Sequence, residues 1–220
     1  MDANHRDILR SVAPFATWIV LQSVLPATAW AYAVRTAATA TVGLICLKGT
    51  RIGLNFRLGG CTWGLLAGLL VWALWVLPES CTWYRTYLCW PLGTSDAVRT
   101  EASPYDPAVC GWTLTCLKLF GSAFVIAPVE EVFFRSFLYR RLQAADFRAV
   151  PLSRFDLSSF LWMIFLFTLE HDRPVVAAIA GAAYGLLAIR FGLGSAIVAH
   201  VVTNLALGLH VIYWGEWWFW

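Results

Sequence analysis

Apolar segments close to the length of a membrane-spanning helix recur along this chain of 220 residues. A helix needs about 20 apolar residues to cross the hydrocarbon layer of a bilayer. Charged residues make up only 13% of the sequence, whereas soluble domains carry about 25%. Because the backbone finds no water inside a bilayer, such segments fold as helices. The sequence therefore predicts an all-α, polytopic membrane helix bundle.

Seven transmembrane helices are predicted, although six or eight also fit the pattern. The predicted spans are 12–30, 31–47, 61–77, 112–134, 157–171, 174–190 and 194–214. A long polar connection, residues 78–111, divides the chain. The N-terminal helices and this loop form residues 1–110, and a core follows at 112–210. The sequence has neither an internal repeat nor a low-complexity tract, which predicts a single transmembrane domain over residues 1–220.

The positions of lysine and arginine predict the orientation, since these residues concentrate on the cytoplasmic side of a membrane. With a cytoplasmic N-terminus, eleven fall inside: Arg6, Arg10, Lys48, Arg51, Arg57, Arg135, Arg140, Arg141, Arg148, Arg154 and Arg190. Four fall outside: Arg35, Arg85, Arg99 and Arg173. The predicted loop 78–111 is then extracytoplasmic. The formal charge of +3 is too small to indicate a nucleic-acid partner.

Two features near the N-terminus and in the loop leave alternatives open. Residues 12–25 also resemble the apolar core of a cleaved signal, but Pro14 and Gln22 interrupt this run, which favours a retained first span. Cys81, Cys89 and Cys110 lie in the polar connection, where one disulfide among the three is an open alternative. No CxxC spacing occurs, so a structural zinc site is not expected.

The fourth span contains Glu130, Glu131 and Arg135 in otherwise apolar sequence. A charged side chain inside a membrane costs about 3 kcal/mol or more, so a function is the first interpretation. Adjacent helical residues differ by about 100° in direction, and residues four apart share a face. We therefore expect Arg135 to neutralise Glu131 while Glu130 faces another target. A buried ion-pair network that only fixes helix packing is the alternative.

Two later spans add His171, His200 and Asn204. A lone histidine in an apolar helix is usually a packing residue, but here Asn204 lies one turn from His200 on the same face. A carboxylate, two imidazoles and an amide can activate water and stabilise an oxyanion. Glu130 and His171 converge if the fifth helix starts below the membrane surface, or if the fourth helix is long and Glu130 lies at mid-depth. We expect the latter, with the fourth helix continuing to about Gln143. The sequence thus predicts an intramembrane polar cavity.

Three motifs, EExxxR, FxxxH and HxxxN, occur in this order on successive late spans. They resemble those of the CAAX prenyl protease and bacteriocin-processing family of intramembrane glutamate endopeptidases. The matching residues are Glu130, Glu131, Arg135, Phe167, His171, His200 and Asn204. The resemblance covers roughly residues 112–210. It implies proteolysis near the C-terminus of a membrane-associated or prenylated protein or peptide.

The resemblance also implies roles for these residues. Glu130 would activate water with help from His171, and His200 and Asn204 would form the oxyanion hole. The remaining motif residues, Glu131, Arg135 and Phe167, would be supporting. The compact chain is similar to bacterial inner-membrane proteins found beside exosortase sorting systems, so such a system and membrane lipid are expected partners.

No cofactor is expected, since a glutamate mechanism needs no metal and the zinc motif HExxH is absent. The weak alternative is zinc held by Glu130, His171 and His200. Two other functions fit the same residues. One is a proton- or ion-coupled transporter, since Lys118 adds a further charge within a span. The other is a non-catalytic membrane partner or immunity protein of the same fold.

Overall fold

The computed structural model of the protein describes residues 3–48, 53–89 and 103–220. Within these ranges the chain is helical and contains no strand, which confirms the all-α prediction. We label seven helices in chain order: α1 (Ala3–Val24), α2 (Ala29–Leu47), α3 (Leu58–Val76), α4 (Trp112–Gln143), α5 (Leu157–Thr168), α6 (Pro174–Phe191) and α7 (Leu193–Trp214). Arg51 and Arg99, which entered the orientation prediction, lie outside the described residues.

Four helical stretches in the described ranges are long and apolar enough to cross a membrane. They are Leu58–Ser80, Trp112–Gln143, Pro174–Phe191 and Leu193–Trp214. These stretches make the chain an integral membrane protein. The predicted number of seven spans is not confirmed. Shorter helical turns are found at Thr82–Leu88, Pro107–Cys110, Phe147–Ala149 and Trp217–Phe219.

The predicted break between the first two spans, at residues 30 and 31, was wrong. Helix α1 ends at Val24 and α2 begins at Ala29. Pro26 carries no backbone N–H and so cannot continue a helical ladder. The hydroxyl of Thr28 then caps α2 by accepting a hydrogen bond from the Ala31 N–H, at 3.2 Å. Pro26 and the Thr28 cap therefore place the break between the two helices several residues before the predicted position.

Helix α4 runs to Gln143, as the sequence predicted, and contains two π-helical turns, Ser122–Ile126 and Val132–Leu138. The first precedes Pro128, which cannot donate to the carbonyl four residues earlier. In this wider turn the Ala127 N–H bonds to the Ser122 carbonyl, five residues back. The turn rotates the following part of α4, which carries the two acids.

A row of glycines on α3 lets this helix pack directly on α7. Gly60, Gly64 and Gly68 are four residues apart and share one face. A Cβ atom at Gly64 would lie 2.6 Å from the Ser195 carbonyl oxygen, and one at Gly68 would lie 2.5 Å from that of Ala199. Small residues at such positions are typical of close helix packing in membranes. This close contact between α3 and α7 was not predicted from the sequence.

We expect Gly68→Ala to lower the free energy of unfolding by about 1–3 kcal/mol, because the added methyl group overpacks the α3–α7 contact. Thermal unfolding in detergent measures the loss. Gly59→Ala is the matched control, since nothing lies within 4 Å of a Cβ atom at that glycine. Equal midpoints for both variants would contradict the packing described.

A buried ion pair closes the end of the bundle where the C-terminal tail lies. The Arg173 Nε atom is 2.7 Å from Glu79 Oε1, and both side chains are buried. The Arg173 guanidinium also lies over the ring of Phe219, 4.8 Å from its centroid. This contact ties α6, the end of α3 and the tail together.

The cysteines Cys81, Cys89 and Cys110 are free thiols in the structure, so the disulfide alternative is not found. The Cys89 thiol instead lies 3.7 Å from Glu79 Oε1. Burial, with the Glu79 carboxylate beside it, raises the pKa of the Cys89 thiol to about 11. Because the thiolate is the reactive form, this environment disfavours oxidation of Cys89.

Candidate active site

The two acids of α4 approach the same histidine, His200 of α7, at different ring nitrogens. Glu131 is fully buried, and its Oε1 atom is 3.1 Å from Arg135 Nη1, one turn along α4. The same Oε1 atom is 2.9 Å from Nδ1 of His200 on α7. The predicted pairing of Glu131 with Arg135 is thus present. Its contact with His200 was not predicted.

Glu130 approaches the opposite edge of the same imidazole. Its Oε2 atom is 3.7 Å from His200 Nε2, and this oxygen is buried without a hydrogen-bond partner. We expected the two carboxylates to face different targets, but they reach the same residue from different directions. The imidazole ring is wide enough for Glu130 and Glu131 to reach its two nitrogens from either side.

Arg135 is held in place by contacts with two further helices. Its Nη2 atom donates to the Gly181 carbonyl of α6 at 3.3 Å. Its guanidinium lies over the Phe167 ring of α5, with the Cζ atom 4.4 Å from the centroid. An arginine stacked on an aromatic face gains a cation–π contribution that grows when the pair is desolvated. Phe167 therefore stabilises the guanidinium of Arg135, which in turn neutralises Glu131.

His171 lies just beyond the end of α5, which stops at Thr168 rather than at the predicted residue 171. The chain turns there because Pro174 begins α6 a few residues later. The Nδ1 atom of His171 is 2.8 Å from the Phe167 carbonyl oxygen. A carbonyl oxygen only accepts, so Nδ1 carries the proton and a neutral ring keeps Nε2 as an acceptor. This tautomer is inferred from the hydrogen bond.

Asn204 is positioned by the first π-helical turn of α4. Its Nδ2 atom donates to the Ser122 carbonyl oxygen at 3.1 Å, the same oxygen that closes the wide turn. One amide N–H of Asn204 is therefore used, and the second remains as a donor. The irregular backbone before Pro128 thus has a direct effect on the position of this amide.

These side chains surround one cavity of about 90 Å³. Five of its lining residues were predicted from the motifs: Glu130, Phe167, His171, His200 and Asn204. Glu131 and Arg135 lie behind this lining. A polar space of this size accommodates a few water molecules, which need polar partners of the kind found here.

Sequence reasoning missed Tyr184 and Thr203, which also line the cavity. The Tyr184 ring stacks on His200, with centroids 5.0 Å apart. Its hydroxyl donates to Thr203 Oγ1 at 2.7 Å, and Thr203 in turn donates to the Gly68 carbonyl at 2.9 Å. Nothing in the sequence distinguishes this tyrosine from a packing aromatic in an apolar helix.

The weak zinc alternative needs three side chains arranged around one ion. Glu130, His171 and His200 line the same cavity. In the part of the chain that the structure describes, however, no group of three histidine, cysteine, aspartate or glutamate side chains is placed to hold one metal ion. That the reaction needs no metal stays a prediction.

Residues 112–206 match a family model described as type II CAAX prenyl endopeptidase Rce1-like. The matched segment is somewhat less than half of the chain and contains all three motifs. It confirms, over these residues, the family resemblance that the motifs predicted. No curated protein and no solved structure gives a significant match.

Proposed function

We propose that this integral membrane protein, which carries the type II CAAX prenyl endopeptidase match in residues 112–206, hydrolyses a peptide bond inside the membrane. The observation that supports this proposal is the position of one buried carboxylate oxygen, Oε2 of Glu130. Glu130 Oε2 has no hydrogen-bond partner and faces His200 Nε2 across 3.7 Å at the wall of a polar cavity. Buried polar atoms without a partner are rare, and at a cavity they indicate a place for water or substrate.

In the proposed reaction, Glu130 takes a proton from a water molecule in the cavity. His171 Nε2 accepts a hydrogen bond from the second O–H of that water, which stays intact, and so orients the oxygen. The water oxygen attacks the scissile carbonyl carbon to form a tetrahedral intermediate. Glu130 then returns the proton to the leaving nitrogen as the C–N bond breaks. A positioned general base of this kind typically contributes about 10²–10⁴-fold to the rate.

The oxyanion of the intermediate would be stabilised by His200 and Asn204. The free amide N–H of Asn204 lines the cavity beside His200. His200 donates Nδ1–H to Glu131, so its Nε2 edge faces the reaction, and in the imidazolium form this edge donates a hydrogen bond to the oxyanion. Glu131 and Arg135 act as positioning residues because they fix this ring. Donors arranged before the reaction cost no reorganisation when the charge develops.

The substrate class follows from the membrane setting and from the family match. We propose a membrane-associated or prenylated protein or peptide that is cut near its C-terminus. A link with an exosortase-type sorting system stays a prediction. The proposal is tested by comparing membrane proteomes of a Glu130→Gln strain and its parent. The account predicts longer, uncut precursors in the variant, and identical proteomes would contradict it.

Asn204→Ala is expected to lower kcat by about 10²–10³-fold with little change in KM, because the lost donor acts mainly on the oxyanion. Steady-state cleavage of a substrate found in the proteome comparison measures both constants. Asn55→Ala is a suitable control, since Asn55 is an exposed amide outside the cavity. A large rise in KM with unchanged kcat would instead assign Asn204 to substrate binding.

Exhaustive chelation is expected to leave the cleavage rate unchanged, since the proposed base is a carboxylate and no metal takes part. The rate of purified protein before and after treatment with a strong zinc chelator checks this. Loss of activity that added zinc restores would contradict the metal-free mechanism.

A further inference from the structure

A second polar cluster lies between α2 and α4, and none of its residues lines the cavity. We call it the cation pocket and define it as Tyr32, Arg35, Tyr105 and Lys118. Arg35, which was counted on the outer side in the orientation prediction, is inside α2 and only 6% exposed. The Lys118 Nζ atom lies 4.2 Å from the Tyr32 ring centroid and 4.8 Å from that of Tyr105. Both cations therefore share one aromatic wall.

The positive charge of this pocket has no acidic counterpart in the described ranges. Neither Arg35 nor Lys118 takes part in an ion pair with a described carboxylate. The Nε atom of Arg35 is buried without a hydrogen-bond partner. Burying an unpaired charge is costly, and a cation–π contact offsets only part of that cost. Two like charges at one ring increase the cost further.

The position of the pocket indicates where a partner anion would come from. Residues 29–36 of α2 pack beside residues 114–121 of α4, so the two helices begin at the same end. Exposed tryptophans lie near both beginnings, Trp30 at 72% and Trp112 at 61% exposure. Tryptophan is enriched at the membrane interface. A helix rises about 1.5 Å per residue, so Arg35 and Lys118 each lie about 8–9 Å along the helix axis from the tryptophan of the same helix.

The side chains of both cations reach back toward this interface. In a helix the Cα–Cβ bond tilts toward the N-terminus, and both helices start at the interface end. Long Lys and Arg side chains extend their charge in this way toward the polar layer. The pocket thus places two positive charges just below the layer in which lipid phosphates lie.

We propose that the cation pocket binds the phosphate of an anionic lipid headgroup. Arg35 offers the planar donor geometry that suits a phosphate, and Lys118 adds a point charge. Binding there would join α2 of the N-terminal part to α4 of the proposed catalytic core. The site is separate from the proposed chemistry, so its test is independent of proteolysis.

The test uses the full protein in a phosphate-free detergent and measures thermal unfolding. Phosphatidylglycerol should raise the midpoint of the wild-type protein by about 5 °C, whereas diacylglycerol should not. Lys118→Met and Arg35→Met should lose at least two-thirds of this shift. Without lipid their midpoints should stay equal or rise, because an unpaired buried cation has been removed. Arg141→Gln is the control, since Arg141 is exposed at the other end of α4.

Three results would overturn the proposal. Full shifts in both methionine variants would show that the lipid acts elsewhere. An equal shift with diacylglycerol would remove the role of the phosphate. A full shift with inorganic phosphate alone would assign the pocket to a free ion and not to a lipid.

Discussion

Glu130→Gln is expected to lower the rate of peptide cleavage by about 10³-fold or more. Glutamine has the same shape but cannot take a proton from water. Glu130 Oε2 has no hydrogen-bond partner, so the exchange breaks no bond made by this oxygen and should leave thermal unfolding nearly unchanged. Cleavage by purified protein in liposomes measures the rate, and detergent melting measures stability.

The matched control for this variant is Asp146→Asn, which also exchanges a carboxylate for an amide of the same shape. The Asp146 side chain is 51% exposed and does not line the cavity. It should cleave at a rate close to that of the wild-type protein. If Glu130→Gln also cleaves at that rate, Glu130 is not the base and the proposed mechanism is wrong.

Arg135→Met is expected to lower the free energy of unfolding by about 3–5 kcal/mol, because it leaves Glu131 as an unpaired buried charge. Glu131 is fully buried, and Arg135 is only 1% exposed. The double variant Glu131→Leu with Arg135→Met should recover much of this stability, since both charges are then absent. It should not recover activity, because His200 loses its partner at Nδ1.

Chemical unfolding of the four proteins in this cycle measures the coupling between Glu131 and Arg135. Arg148→Gln serves as a control for loss of a surface ion pair, since Arg148 pairs with Asp7 and Asp146 where all three side chains meet solvent. It should change stability little. Additive losses in the cycle would show that Glu131 and Arg135 do not act as a pair.

The sequence could predict what depends on local spacing. The i, i+4 geometry of a helix pairs Glu131 with Arg135. The extension of α4 to Gln143 followed from the need to bring Glu130 to the depth of His171. Each of these conclusions uses neighbours along the chain or a simple helical rise.

Contacts between distant segments could not be predicted in this way. His200 is 69 residues from Glu131, and no local pattern indicates that one imidazole lies between two adjacent carboxylates. The glycine row on α3 did carry a signal, since small residues every four positions indicate close packing. Through Gly68 and Thr203 it also positions Tyr184 against His200, a consequence that only the packed helices reveal.

In the proposed mechanism, Glu130 activates water for direct attack on a peptide carbonyl. A single turnover in water labelled with oxygen-18 tests it most directly, with mass spectrometry of the new C-terminal carboxylate. We predict one labelled oxygen in every product molecule from the wild-type protein, and no detectable product from Glu130→Gln in the time of one wild-type turnover. An unlabelled first product, or cleavage by the glutamine variant at the wild-type rate, would contradict this mechanism.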